Sequence, residues 1–388
     1  MMKNDSYNIG LFIDTSRIVG RGILRGFANY SKMHSTWMLN PTSVNNKHKL
    51  SLSNLKKSNY DALVIVEQNI PDEIHDFIQS NNIPSVIKCD CCDIKLACNI
   101  VSDNFKIGSM AADYFLKKGF TNFAYCGISE TNWSVTRKNK FIESIVDAGF
   151  DNKNIYCKEF PRHLTTATLR KAELWLEKLP KPIALLADND EFARKIIDIC
   201  NRTHKINVPF DISVLGIDND DLVCDISNPP ISSIARNFSQ VGFEAAEWID
   251  AALSMDFFEA KNIVLEPIEI ITRQSTDIYA TDDDNIKAAL EYIKKNANKD
   301  ITVDDVAIET AVSRRSLERR FMQVLHTTIN QEIRRVRNDL IAQFLENTDL
   351  SISEIADKMG FKSNKHIARY FAYTKNISPL SYRKISRS

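Results

Sequence analysis

The feature that most constrains this chain is an internal repeat in its last hundred residues, where one helical layout recurs at a spacing of 49 to 50 positions. In the first copy Thr302, Val303, Asp304 and Asp305 make a capping-box-like helix start, Val306 and Ala307 turn inward, and Ser313 caps a second helix running through Phe321 and Val324. In the second copy Ser351, Ile352, Ser353 and Glu354 repeat that start and Ile355 and Ala356 turn inward. Gly360 ends the short helix, and Ser363 caps the next through Ile367 and Phe371. Gly360 suits a left-handed helix exit. A short helix, a tight turn and a capped second helix form the helix-turn-helix pattern, whose second helix enters the DNA major groove.

Leu317 with Phe321, and Ile367 with Phe371, sit four apart and must face the core, which leaves the opposite helix face free. The free face carries Arg315, Glu318 and Arg319 in the first copy, and Asn364, Lys365, Ala368 and Arg369 in the second. Arg pairs with guanine, Asn with adenine, Glu with cytosine, and Ala packs on a thymine methyl. A single basic helix face reads equally well as a solvated surface; the second copy tips the balance toward DNA. A helix from Thr328 to Glu346, with Ile329, Ile333, Val336, Leu340 and Phe344 on one stripe, is expected to join the units. It would hold the two recognition helices about one DNA turn apart, roughly 34 Å. Charge agrees: residues 285 to 388 hold 19 Lys+Arg against 12 Asp+Glu, leaving 31 against 38 in the rest of a chain whose formal net charge is zero.

Ser313 to Phe321, Ile352 to Phe361 and the closing Ile377 to Arg383 resemble the AraC/XylS DNA-binding domain over about a hundred residues. The resemblance implies that Arg315, Glu318, Arg319, Asn364, Lys365 and Arg369 contact DNA. His326 and Asn376 stand where that family often has glycine, so the turns after both recognition helices are expected to differ.

Ahead of the repeat the architecture changes class. At 388 residues the chain has room for at least two domains. From Tyr7 to about Arg273 short β-branched runs alternate with helical patterns, which predicts parallel strands with helical crossovers. The predicted strands are Asn8 to Ile13, Ala62 to Val66, Pro84 to Lys88, Asn122 to Cys126, Ile183 to Ala187 and Ile212 to Gly216; Gly20 to Met33 and Lys106 to Lys118 read as amphipathic helices. Pro84, Pro182 and Pro209 are strand punctuation. Gln274 to Asp284, polar and without apolar period, reads as an exposed joint, giving domains at 1–273 and 285–388 around a 274–284 linker. No signal peptide or membrane span is visible, so a cytoplasmic location without membrane contact is expected. Cys89, Cys91, Cys92 and Cys98 lack the paired spacing of a metal site and read as reduced structural thiols; no metal or cofactor is expected.

Ala187 to Asp190, Val208 to Asp218 and Asn228 to Ile234 resemble the LacI-type, periplasmic-binding-protein-like sugar-binding fold, over about Tyr7 to Arg273. The resemblance implies a two-lobed α/β domain, with Asp103, Arg137, Asn189, Asp190, Asp218 and Arg236 at a sugar pocket and Trp133 as the stacking aromatic. Asp14 and Arg17, in the first strand-to-helix loop, are secondary candidates. Open α/β sheets bind ligands at the carboxyl ends of strands, and planar Asp, Asn and Arg groups can each pair with two adjacent hydroxyls. The plainer reading makes Asp190 a helix cap and Arg137 a surface cation. Arg137 is followed by Lys138, Asn139 and Lys140, where the family often places a glycine.

A sensor of this kind fused to AraC-type helices resembles the XylR-like family of xylose-responsive transcription regulators. The resemblance implies a homodimer whose partners are operator or promoter DNA, xylose or a related monosaccharide as effector, and RNA polymerase if the protein activates. A sugar-processing enzyme with Asp188, Asp190 and Asp218 as acid and base is the competing class, but the chain has no P-loop, dinucleotide fingerprint or HExxH motif, and no catalytic residue is expected. A secreted sugar receptor conflicts with the basic helical tail.

Overall fold

The structure is a computed structural model and describes residues 6–33, 37–43, 50–66, 70–88, 97–129, 131–161, 165–255, 259–278, 281, 283–325, 327–375 and 377–386. His326, Asn376, Cys89, Cys91 and Cys92 lie outside the described residues. The chain forms two compact units, Met1–Asp277 and Ile278–Ser388.

The first unit has two lobes, each built on a six-stranded sheet. The strands are β1 (Tyr7–Ile13), β2 (Trp37–Ser43), β3 (Ala62–Val66), β4 (Ser85–Lys88), β5 (Cys98–Ser102), β6 (Phe123–Ile128), β7 (Ile155–Phe160), β8 (Ile183–Ala187), β9 (Ile212–Asp218), β10 (Ser232–Arg236), β11 (Lys261–Leu265) and β12 (Pro267–Ile271). The first lobe runs β11-β5-β4-β3-β1-β2 and the second β12-β10-β9-β8-β6-β7. Pairing is parallel throughout, except where β12 runs antiparallel to β10. Strands such as β3 and β8 are apolar on both faces because helices cover both sides of a parallel sheet. The chain passes between lobes three times: after β5 into the Asn104–Lys117 helix, after β10 into the Phe238–Leu253 helix, and from β11 to β12.

The composition of Gln274 to Asp284 predicts an exposed joint, but among its described residues Ser275, Thr276, Ile278 and Thr281 are buried and Asp284 alone is exposed. Ser275 and Thr276 are fully buried against the second lobe. Ser275 Oγ donates to the Val214 carbonyl and accepts from the Ser232 N–H, while Thr276 Oγ1 bonds Ser232 Oγ and the Tyr114 hydroxyl. Short hydroxyl side chains look like loop in a composition count, yet every one of these polar atoms is paired inside.

The second unit is helical: Asp284–Lys295, Val303–Glu309, Arg314–Leu325, Ile329–Asn347, Ile352–Lys358, Asn364–Lys375 and Pro379–Ser386. Thr302 with Asp305 and Ser351 with Glu354 form reciprocal capping boxes at the predicted starts, and Thr328 with Gln331 adds a third. The Ile329–Asn347 helix is rotated from the predicted stripe. It buries Ile329, Ile333, Arg337, Asn338, Ile341, Ala342 and Leu345, whereas Val336, Leu340 and Phe344 are half-buried. The centre of the buried face is a cation, Arg337, which donates to the carbonyls of Ala297 (3.2 Å) and Met359 (2.7 Å) and lies 4.8 Å over the Phe361 ring. Apolar periodicity passes over a charged residue, so it selected the neighbours one position away.

Candidate functional site

The carboxyl ends of β5, β6, β8, β9 and β10 place polar side chains on a common rim between the lobes of the first unit. Two groups form there. The first centres on Arg137, which is buried, donates through Nε to Asn104 Oδ1 (2.9 Å) and through Nη1 to the Asp188 carbonyl (2.7 Å), and stacks 4.6 Å from the Trp133 ring centroid. One face of Trp133 is thus taken by a guanidinium, and the ring also packs on the second-lobe core. Asp188 is buried, accepts from the Tyr125 hydroxyl (2.6 Å) and the Ile128 N–H (2.8 Å), and is held above the usual carboxylate range by burial, with Arg137 pulling it back.

The second group joins Asp190, Asp218 and Arg236. Asp190 is 2% exposed; its oxygens accept from Ser233 Oγ (2.5 Å) and from the Asp220 N–H (2.7 Å). Burial, then the neighbouring Asp218 charge, push its carboxyl up to about 8. Gly216 leaves the room: a Cβ there would stand 2.2 Å from Asp190 Oδ1. Arg236 pairs with Asp218 through Nη2, donates to Ser102 Oγ at 3.0 Å and lies 4.8 Å over the Phe238 ring. Burial lowers the Arg236 guanidinium below its usual range, the Asp218 charge opposes that, and the Arg137 charge adds to it, so the two groups share one electrostatic field.

Two sequence-predicted residues act locally as helix caps. Asp103 accepts from the Lys106 N–H at 2.8 Å and Asn189 from the Phe192 N–H at 2.9 Å. Asp14 accepts from the Ser16 N–H, and Arg17 reaches Glu191 across the cleft at 3.9 Å. Sequence reading missed the residues that connect these groups. Arg21, from the first-lobe Ile18–Met33 helix, holds Asp220 of the second lobe with two 2.7 Å bonds and donates to the Ser16 carbonyl at 2.8 Å. Arg273 Nη1 donates to Asn219 Oδ1 (2.8 Å) and the Ile231 carbonyl (3.0 Å), and its Nε lies 3.0 Å from Asp225. The run Asp218-Asn219-Asp220 after a strand was a legible signal; which arginines it meets was not.

In the second unit Leu317, Phe321, Ile367 and Phe371 are fully buried, while Arg315, Glu318, Arg319, Asn364, Lys365 and Arg369 are exposed on the opposite faces of the Arg314–Leu325 and Asn364–Lys375 helices. Glu318 pairs with Arg314 at 3.0 Å, and Arg314 also reaches Asp304. Arg320 is half-buried and pairs with Asp283 at 2.6 Å, which explains why it belongs to the scaffold and not to the free face. Arg315, Arg319, Lys365 and Arg369 have no carboxylate partner among the described residues. Among the described residues no group of three or more His, Cys, Asp or Glu is placed to hold a metal, and no helix is long and apolar enough to cross a membrane. Cys98 is buried in β5, its thiol pushed up to about 12 by burial.

Comparison with known proteins agrees with this division. A periplasmic binding protein-like domain matches residues 112–276 and a helix-turn-helix domain matches residues 306–385. The chain is 30% identical to the xylose operon regulatory protein of Escherichia coli (strain K12) over 74% of each chain, and 28% identical to that of Haemophilus influenzae over 73% of this chain and 74% of the relative. The solved structure of the xylose-binding transcription activator xylR has the same fold, with a TM-score of 0.74 at 23% identity, covering 98% of this chain and 99% of that one. Two lobes around a polar cleft, a tandem helix-turn-helix unit and a relative of this identity across three quarters of both chains place the protein in the xylose operon regulatory protein family.

Proposed function

We propose that this chain is a transcription regulator that binds operator or promoter DNA through its two helix-turn-helix units and answers to a monosaccharide, xylose first, held between the lobes of the first unit. The observation that carries the reading is the union, in one chain, of a cleft rimmed by paired planar side chains with two exposed helix faces where Arg315, Arg319, Lys365 and Arg369 have no carboxylate partner among the described residues. The E. coli and H. influenzae relatives are regulatory proteins of a xylose operon, which supports the choice of sugar. In this reading the sensor is the unit that ends at Asp277 and the DNA reader the unit that begins at Ile278.

In this reading Asp218, Arg236, Arg137 and Asn189 meet sugar hydroxyls, Trp133 offers its remaining ring face to the apolar side of the sugar, and Asp103 and Asp190 hold the rim. Arg315, Glu318, Arg319, Asn364, Lys365 and Arg369 meet DNA. The protein acts in the cytoplasm as a homodimer, and contacts RNA polymerase if it activates. No observation favours the enzyme reading: the relatives named are regulators.

A ligand that prefers the folded state raises its stability, by about 2.7 kcal/mol at a hundred times its dissociation constant. Xylose, screened against other pentoses and hexoses, is expected to raise the melting midpoint of the purified chain and to change its affinity for a duplex that the protein itself selects from a random library. A response to a different sugar would replace xylose; affinity for DNA unmoved by any bound sugar would sink the regulatory reading.

A further inference from the structure

The turn that follows β9 has three consecutive residues, each bound by an arginine from a different part of the first unit. Asp218 pairs with Arg236, which stands at the end of β10 where the chain crosses back to the first lobe. Asn219 Oδ1 accepts from Arg273 Nη1 at 2.8 Å, and Asp220 takes both 2.7 Å bonds from Arg21 of the first lobe. The backbone of this turn is strained: Asp218 has φ 105° and Asn219 φ 53°, side by side in a region that residues with a Cβ seldom occupy. Such a conformation persists only where surrounding contacts hold it, and here the three arginines and the Ser233 Oγ bond to the Asn219 N–H do so.

Arg273 is four residues from Asp277, the last residue of the first unit. Its own N–H donates to Ser232 Oγ at 2.7 Å, and that hydroxyl in turn donates to the Arg273 carbonyl and accepts from Thr276 Oγ1. The exit segment 273–276 is therefore tied to β10 and, through one guanidinium, to the turn whose neighbours rim the cleft.

We propose that Asn219 and Arg273 are the coupling residues of the sensor: their contact passes the state of the Asp218–Asp220 turn to the segment that leads into the helical unit. This rests on the sugar-responsive reading above. A sugar that engages Asp218 or Arg236 changes one of the three arginine contacts, and a strained turn kept in place by its surroundings is expected to shift when one of those contacts changes. Asn219 and Arg273 meet each other at that turn and lie outside the residues placed on the sugar.

The test uses the full-length chain, D-xylose and a self-selected duplex. Asn219→Ala and Arg273→Gln are each expected to keep xylose affinity within about threefold of the unchanged chain while the xylose-induced change in DNA affinity falls below about twofold. Asn219→Asp keeps an acceptor for the guanidinium and is expected to restore the response, which a general loss of packing would not allow. A full xylose response in both Asn219→Ala and Arg273→Gln overturns the coupling role, and so does loss of xylose binding in step with loss of response in both. An unchanged chain whose DNA affinity ignores xylose removes the regulatory reading itself, an outcome visible before any variant is made.

Discussion

Asp190 lies within the cleft rim with its carboxyl turned inward, and burial beside Asp218 pushes it up to about 8. An unfolded aspartate titrates near about 3.9, so over the window between these values the folded chain holds a proton that the unfolded chain has lost. The contribution to stability is complete below about 4 and is lost as pH rises through about 8. Urea midpoints measured from pH 5 to 9 should therefore fall more steeply for the unchanged chain than for Asp190→Asn; parallel profiles would refute the assignment. At the residue scale Asp190, Asp218, Arg236 and Arg137 were named through the resemblance to the sugar-binding fold, and their planar groups suit hydroxyl recognition. The sequence did not show that Arg137 is buried against Trp133 and the Asp188 carbonyl, since both partners depend on how separate strands and helices converge.

The two helix-turn-helix elements solve the same turn with different residues. Gly360 sits at φ 70° and Ala311, at the equivalent place, at φ 52°. A Cβ on Gly360 would meet nothing nearer than 3.5 Å, so the cost of adding one is conformational, not steric. Gly360→Ala is expected to destabilise the second unit by about 1 kcal/mol, and Ala311→Gly to leave the first copy unchanged or up to about 1 kcal/mol more stable, because glycine enters the left-handed region freely but loses more chain entropy on folding. Thermal melts of the two variants in the full chain decide it; a larger loss for Ala311→Gly than for Gly360→Ala would show that the turns are not equivalent. Legibility of the elements followed burial. The six strands read from sequence are interior or nearly continuous apolar runs, whereas all four sheet edges, β2, β7, β11 and β12, went unread. An edge strand leaves part of its surface to solvent, as in the exposed Lys158 and Glu159 of β7 or Lys261 and Asn262 of β11, and so resembles loop. The remaining two, β5 and β10, are five-residue strands interrupted by serine and asparagine.

At the scale of the whole sensing unit, the Arg21–Asp220 pair ties the lobes across the cleft, a two-bond contact with Asp220 nearly buried. Removing it is expected to let the lobes separate, so that apparent affinity falls by the fraction of molecules left competent to bind. Arg21→Ala is expected to weaken xylose binding about tenfold by calorimetry, in line with about 1.5 kcal/mol for a charge-assisted bond. Affinity unchanged within twofold would mean that the pair does not bias closure. Nothing in the local sequence announces this contact, because its partners are 199 positions apart.

The two helix faces proposed to read DNA also differ from each other. One presents Arg315, Glu318 and Arg319 and the other Asn364, Lys365 and Arg369, both carried by one polypeptide on either side of the Ile329–Asn347 helix. Two identical reading heads related by a two-fold axis would oblige the DNA to be a palindrome. Unlike heads in a fixed order make the site a word with a beginning and an end. A single helical unit can then be seated in only one direction along the duplex, and the site can point toward one flanking gene and away from the other.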